Sequence, residues 1–457
     1  MNVTDARALA HALKEMLESA QHALDGAADS ALISRITDHI GVPLTEVPNV
    51  ALHLPAFEHV NLQRGVEAYL AAHSPDETWF GIAGNRHFST VIDMLAESAN
   101  NRAYQLGAVD YTTVATGPAT SSEAVQLGLV CTRAPDGSPV VLAIQGAQED
   151  HGEDRCHLQL LAADRATAAT VREEIERLTR EHDVFQGQVL SFGHSEHRHN
   201  RLLNFLPRPS LRAEDVVLPA GVLRSIERHV IRTDEQTEAL KAYGQHLKRG
   251  LLLYGPPGTG KTHTVRYLLS RLTECTVFVL SGVAAIRYLR PTTALARRLA
   301  PSVVVVEDVD LIAQERSRMG DSNPVLYELL NEMDGIGSEA DVTFVLTTNR
   351  VEAMESALTE RPGRVDLAVE VPKPDDECRE RLLRLYSANT PLTLDDATEV
   401  VRATEGVTAS FIKELVRRAV LQQVETGGDL DEEVLHAALA ELMDERQALT
   451  RSILGGR

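Results

Sequence analysis

Gly255-Pro256-Pro257-Gly258-Thr259-Gly260-Lys261-Thr262 fits the phosphate-loop pattern G-x-x-x-x-G-K-[ST] without a mismatch. Glycines let successive backbone N–H groups curl around a phosphate, and the helix that follows aims its positive dipole end at the same point. Lys261 supplies a cation for β- and γ-phosphates, and the Thr262 hydroxyl is a ligand for Mg²⁺. The flanks agree with this reading. Leu251-Leu252-Leu253-Tyr254 is a buried-strand run leading into the loop, and the segment from His263 to Leu269 reads as a helix leaving it.

Further along, Pro301 to Val306 is an apolar, β-branched run of the kind a central parallel strand carries when both its faces are covered. It ends in Glu307-Asp308, with Asp310 close behind. Acids at that end of a strand can reach a metal held beside a neighbouring phosphate loop. A second such run, Val342 to Thr348, leads to Asn349-Arg350. The turn-rich Arg361-Pro362-Gly363-Arg364-Val365-Asp366 then precedes the strand Leu367 to Val371.

In these stretches, and in Leu329-Leu330-Asn331-Glu332-Met333-Asp334-Gly335, the chain resembles the AAA family of ATPases over roughly residues 213–445, about half its length. The resemblance implies an α/β fold: a P-loop NTPase parallel sheet with an α-helical lid domain. Strands are expected at 251–254, 276–280, 303–306, 342–347 and 367–371. Lid helices are expected at 377–386, 410–425 and 430–446. Alternating strands and helices require right-handed crossovers and place the ligand at the carboxyl ends of the strands.

The resemblance also implies a set of roles around ATP and Mg²⁺. Residues 255–262 with His263 hold the nucleotide, and Val216 and Val217 lie against the adenine. Here Asp215-Val216-Val217-Leu218 stands where the family has Asp-Ile-Gly-Gly. Thr262 and Glu307 serve the metal, Asp308 polarises the attacking water, and Asn349 orients it. The family's Asp-Glu order is reversed at 307–308, which changes each carboxylate's reach by one methylene, about 1.5 Å. The alternative exchange of the two roles is disfavoured because successive strand side chains point to opposite faces. Arg361 and Arg364 match the arginine pair that reaches a neighbouring subunit's nucleotide. That action in trans implies a homo-oligomer, a hexameric ring. In the lid, Thr408-Ala409-Ser410 replaces Ser-Gly-Ala, without an arginine.

Two functional readings remain open. Members that thread polypeptides carry an aromatic–aliphatic pair in a pore loop after the second strand, and Tyr288-Leu289 is the candidate. Such a ring would remodel, unfold or disassemble protein substrates. The alternative is a nucleotide-driven switch or assembly factor that translocates nothing. A nucleic-acid motor is disfavoured by a formal net charge of −21 and by the lack of a basic–aromatic stripe.

Composition sets the remaining bounds. A chain of 457 residues, 43% apolar and 24% charged, is expected to form two or three globular domains. No apolar run approaches the ~18 residues of a membrane span, and Met1-Asn2-Val3-Thr4-Asp5 does not open like a secretory signal. The four scattered cysteines form no metal or disulfide pattern. These features point to the cytoplasm. The expected organisation is an N-terminal helical segment (1–75), an α+β domain for a protein substrate or adaptor (76–190), a linker (191–212), the large ATPase subdomain (213–375) and the lid (376–457). Leu9, Leu13, Leu17, Ala20 and Leu24 have the spacing of an amphipathic helix. Residues 124–132 and 140–145 read as a hairpin, 157–162 as a further strand and 165–182 as a helix. His194, His197 and His199 lack the spacing of a known metal motif and are read as part of the linker.

Overall fold

The computed structural model describes Met16 and residues 30–84, 89–101, 103–147, 155–193, 203–310, 324–335, 340–351, 365–390, 392, 397–427 and 431–453. It divides into two compact units. One comprises residues 1–184 and 195–202, the other 185–194 and 203–457. The proposed amphipathic helix at 5–24 lies, apart from Met16, outside the described residues.

The N-terminal unit runs α1 (Ala31–Ile40), β1 (Val50–Pro55), α2 (His59–His73), β2 (Gly81–Ala83), α3 (Val91–Asn101), β3 (Gln105–Gly107), β4 (Asp110–Ala115), β5 (Ser121–Arg133), β6 (Pro139–Gln145), β7 (Arg155–Ala162) and α4 (Arg165–Glu181). Its main sheet is antiparallel, in the order β1-β7-β6-β5-β4. The two-residue strand period sorts the side chains to opposite faces. Val130, Leu142 and Leu160 pack with Leu62, Val66, Val171 and Ile175 of α2 and α4. Their chain neighbours Leu129, Val141 and Leu161 pack with Leu32, Ile36, Met94 and Leu95 of α1 and α3. The hairpin at 121–145, the strand at 155–162 and the helix at 165–181 stand where the pattern puts them. One correction concerns residues 1–75, read as helical: Val50, Leu52 and Leu54 alternate, and the segment forms edge strand β1 against β7. Its partner is about a hundred residues away, so only the alternation betrays it.

The second unit continues with β8 (Val189–Phe192), β9 (Leu203–Leu206), α5 (Val222–Glu235), α6 (Thr237–Ala242), β10 (Arg249–Tyr254), α7 (Lys261–Arg271), β11 (Thr276–Ser281), α8 (Gly282–Arg298), β12 (Ser302–Glu307), α9 (Pro324–Gly335), β13 (Val342–Thr348) and β14 (Leu367–Glu370). Strands β14-β10-β13-β12-β11 form a parallel sheet, as the alternation of strand and helix requires. The sheet is wider than expected. β8 adds in parallel beside β11 and β9 pairs antiparallel with β8, so both flanks of the segment read as a linker belong to this sheet. Arg208 binds them in place. Its guanidinium donates to the carbonyls of Leu269 and Leu272 at the end of α7 (2.8 and 2.9 Å) and to those of Gly187 and Cys275 (both 2.9 Å).

Helices α10 (Asp376–Ser387), α11 (Thr398–Ala403), α12 (Ala409–Thr426) and α13 (Glu432–Ile453) complete the unit. They share a core of Leu383, Val400, Ile412, Leu415, Leu435 and Ala438, with Val217 packed against it. This is the expected helical lid.

Candidate active site

Strand β10 delivers the phosphate loop to the carboxyl edge of the parallel sheet. Gly255 turns the chain at φ 142°, where a Cβ would fall 2.3 Å from the Val371 carbonyl oxygen. Gly260, at φ 110°, has nothing within 4 Å of such a Cβ, so its backbone angle alone calls for glycine. α7 starts on the next residue. Lys261 is buried (6% exposed), and its Nζ donates to the carbonyls of Gly255 (2.7 Å) and Pro256 (2.9 Å). Burial lowers its pKa, while the charges of Asp308 and Asp310 raise it. A desolvated ammonium held on neutral carbonyls, at the start of a helix and inside a glycine loop, fits a triphosphate. Thr262, exposed in the first turn of α7, has the hydroxyl for a Mg²⁺ ligand.

The acids lie on a neighbouring strand. β12 ends at Glu307, and Asp308 leaves it at φ 50°, in left-handed backbone. The alternation rule used to assign the two carboxylates therefore stops at Glu307, and Asp308's direction follows from contacts instead. Its N–H donates to Thr347 Oγ1 (3.0 Å), and its Oδ1 accepts from Asn349 Nδ2 (3.1 Å). The structure thus brings together Lys261, Asp308 and Asn349 from three elements. Asp310 joins them with a stronger part than its sequence position suggested. It is 3% exposed, and its Oδ1 accepts from Thr348 Oγ1 (3.0 Å) and from the backbone N–H of Asn349 (3.1 Å). It thereby holds the turn that presents Asn349. The sequence signal for it was an acid two residues beyond Asp308.

The segment before the ATPase sheet also reaches the site. Val216 is buried in the sheet's core and Val217 packs on the lid. A ring nitrogen of His263 lies 3.0 Å from the Asp215 carbonyl oxygen, tying that segment to the first turn of α7. The lid touches the loop directly, since the N–H of Ser410 donates to the Gly258 carbonyl at 3.0 Å.

Two sequence expectations fare differently. Arg361 and Arg364 lie outside the described residues. Tyr288 and Leu289, expected on a pore loop, stand inside α8, which runs unbroken from Gly282 to Arg298. Leu289 is 3% exposed. The Tyr288 ring stacks on Phe192 of β8, with centroids 5.2 Å and planes 19° apart. The extra strand beside β11 supplies the aromatic surface on which Tyr288 stacks, while Leu289 is buried.

Among the described residues, no helix is long and apolar enough to cross a membrane. Residues 251–373 match the family model described as ATPase family associated with various cellular activities (AAA). Its span runs from β10 through the phosphate loop and the acids to the end of the parallel sheet. The match supports a nucleotide-driven ATPase and bears out the P-loop NTPase fold.

Proposed function

Residues 251–373 form an AAA ATPase domain, and from that premise we propose that the protein hydrolyses ATP within a homo-oligomeric ring and drives a conformational switch in a protein partner. The observation that carries the catalytic part is the grouping of Lys261, Asp308 and Asn349 at the carboxyl ends of adjoining strands. Lys261 and the loop amides bind the triphosphate. Asp308 accepts a proton from the attacking water, whose position Asn349 helps to set. Thr262 and Glu307 would hold Mg²⁺, which neutralises phosphate charge when bound. Arg361 and Arg364 serve the neighbouring subunit's nucleotide, a contribution worth about 10³–10⁵ in rate. The N-terminal unit, outside the AAA match, takes the protein partner.

A switch is preferred to threading because the only grip proposed for threading is Tyr288-Leu289, and both side chains are engaged in packing. The net charge of −21 weighs against nucleic acid as the partner.

Calorimetry and mixed rings test this reading. Lys261→Ala should abolish measurable ATP binding, because two phosphate charges lose their cation. Arg364→Ala should bind ATP yet lose hydrolysis. Mixing the two variants should restore part of the activity, since a subunit without the arginine still offers an intact site to a neighbour that has it. Unchanged affinity in Lys261→Ala would remove the nucleotide assignment. Mixed rings that form but stay inactive would remove catalysis in trans.

A further inference from the structure

His53 of β1 and His157 of β7 stand directly opposite each other in the antiparallel register of the N-terminal unit. Their Nδ1 atoms are 2.5 Å apart. The rings meet edge to face, with centroids 4.7 Å and planes 80° apart. The nucleotide chemistry uses neither residue. Two imidazoles that meet through like atoms hold one proton between them, so one Nδ1 donates and the other offers its lone pair. A neutral imidazole nitrogen is also the form that binds a metal.

We propose that this pair is a binding site for a borderline divalent transition metal, of the class of Zn²⁺, Ni²⁺ and Cu²⁺. Two metal–nitrogen bonds of about 2.0–2.1 Å at a tetrahedral angle hold their nitrogens about 3.3 Å apart. The pair therefore has to open by about 0.8 Å. His53 is exposed on the outermost strand of its sheet, so a rotation of its side chain supplies that movement. Gln159, two residues along β7 and on the same face, adds an oxygen. It is 7% exposed, and its Oε1 is buried without a hydrogen-bond partner. A metal-bound water is the kind of donor it lacks. Among the described residues no cluster of three or more His, Cys, Asp or Glu side chains forms a metal cage. Water completing the shell would make the site open and exchangeable. Two imidazoles should favour Cu²⁺ over Ni²⁺ and Zn²⁺.

The test uses full-length protein with His194, His197 and His199 replaced by alanine, stripped with EDTA and kept free of nucleotide. Titration with Cu²⁺ should give an electron paramagnetic resonance signal split by two equivalent nitrogens at the first equivalent. His53→Ala and His157→Ala should each lose that splitting and take up one equivalent less Zn²⁺ by calorimetry. His53→Ala should hydrolyse ATP in Mg²⁺ at the parent rate, which separates this site from the nucleotide site. A first-bound Cu²⁺ without the two-nitrogen splitting, read on the parent itself, overturns the proposal. So does unchanged Zn²⁺ stoichiometry in the folded His53→Ala variant.

Discussion

The side-chain amide of Asn349 donates to Oδ1 of Asp308 across 3.1 Å, joining the end of β13 to the residue that leaves β12. Among the described residues, Asp308 is the only non-glycine with positive φ. Asp and Asn visit that backbone region more readily than other L residues, because their short polar side chains bond locally. Position 308 therefore favours Asp over Glu, a physical reason for the reversed order of the two acids.

Two variants examine this. Asp308→Asn keeps the backbone preference but cannot accept a proton. It should bind ATP and slow hydrolysis by about 10²–10⁴, read in single-turnover assays. Glu307→Asp combined with Asp308→Glu restores the family's order but puts Glu in left-handed backbone. It should lose about 1 kcal/mol of stability in thermal unfolding. A swapped variant as stable as the parent would show that φ at 308 does not select the residue.

Tyr288 and Leu289 should behave as packing residues. Leu289→Ala removes a buried side chain and should cost about 2–5 kcal/mol. Tyr288→Phe keeps the stack on Phe192 and should be close to neutral, whereas Tyr288→Ala should lose it. Chemical denaturation distinguishes the readings: a pair that grips substrate in a pore would leave unfolding midpoints unchanged in both alanine variants.

Arg208 should be needed by the ATPase unit although it lies ahead of the AAA match. Arg208→Met retains the apolar stem but removes the guanidinium from four carbonyls, of which Leu272's keeps the Cys275 N–H. The expected loss is at least about 2 kcal/mol. Lysine should not rescue it, because one ammonium cannot reproduce the planar fork. A midpoint for Arg208→Lys equal to the parent's would sink the clamp.

His59 gives the N-terminal unit a pH dependence. It is 5% exposed, and burial holds its pKa below the ordinary 6.5, against the smaller opposing effect of its hydrogen bond with the Val125 carbonyl. Below the ordinary value the unfolded chain takes up a proton that the folded unit still refuses. Stability should therefore fall as pH drops from about 6.5 toward the depressed folded value. Urea midpoints across pH 5–7.5 should decline less steeply in His59→Gln. An equal slope in both proteins would place the effect elsewhere.

Much of this protein is written in local pattern. A glycine loop after an apolar strand, β-branched runs long enough for single central strands, and the turn between residues 133 and 139 need no distant partner to be recognised. They determine the P-loop sheet, the positions of Lys261, Glu307, Asp308 and Asn349 along the chain, and the hairpin core of the N-terminal unit. What tertiary structure decided depends on partners far away in sequence. β1 becomes a strand because β7 offers it an edge, and β8 and β9 extend the sheet because β11 offers β8 an edge and β8 then offers one to β9. Phe192 turns Tyr288 into a packing residue. The backbone at Asp308, set by Thr347 and Asn349, overrides the strand alternation that would have aimed its carboxylate. His53 and His157 meet across 104 residues through strand pairing alone. Periodicity reports which face of its own element a side chain takes. What stands opposite that face is set by burial and hydrogen bonding between segments that the chain brings together only on folding.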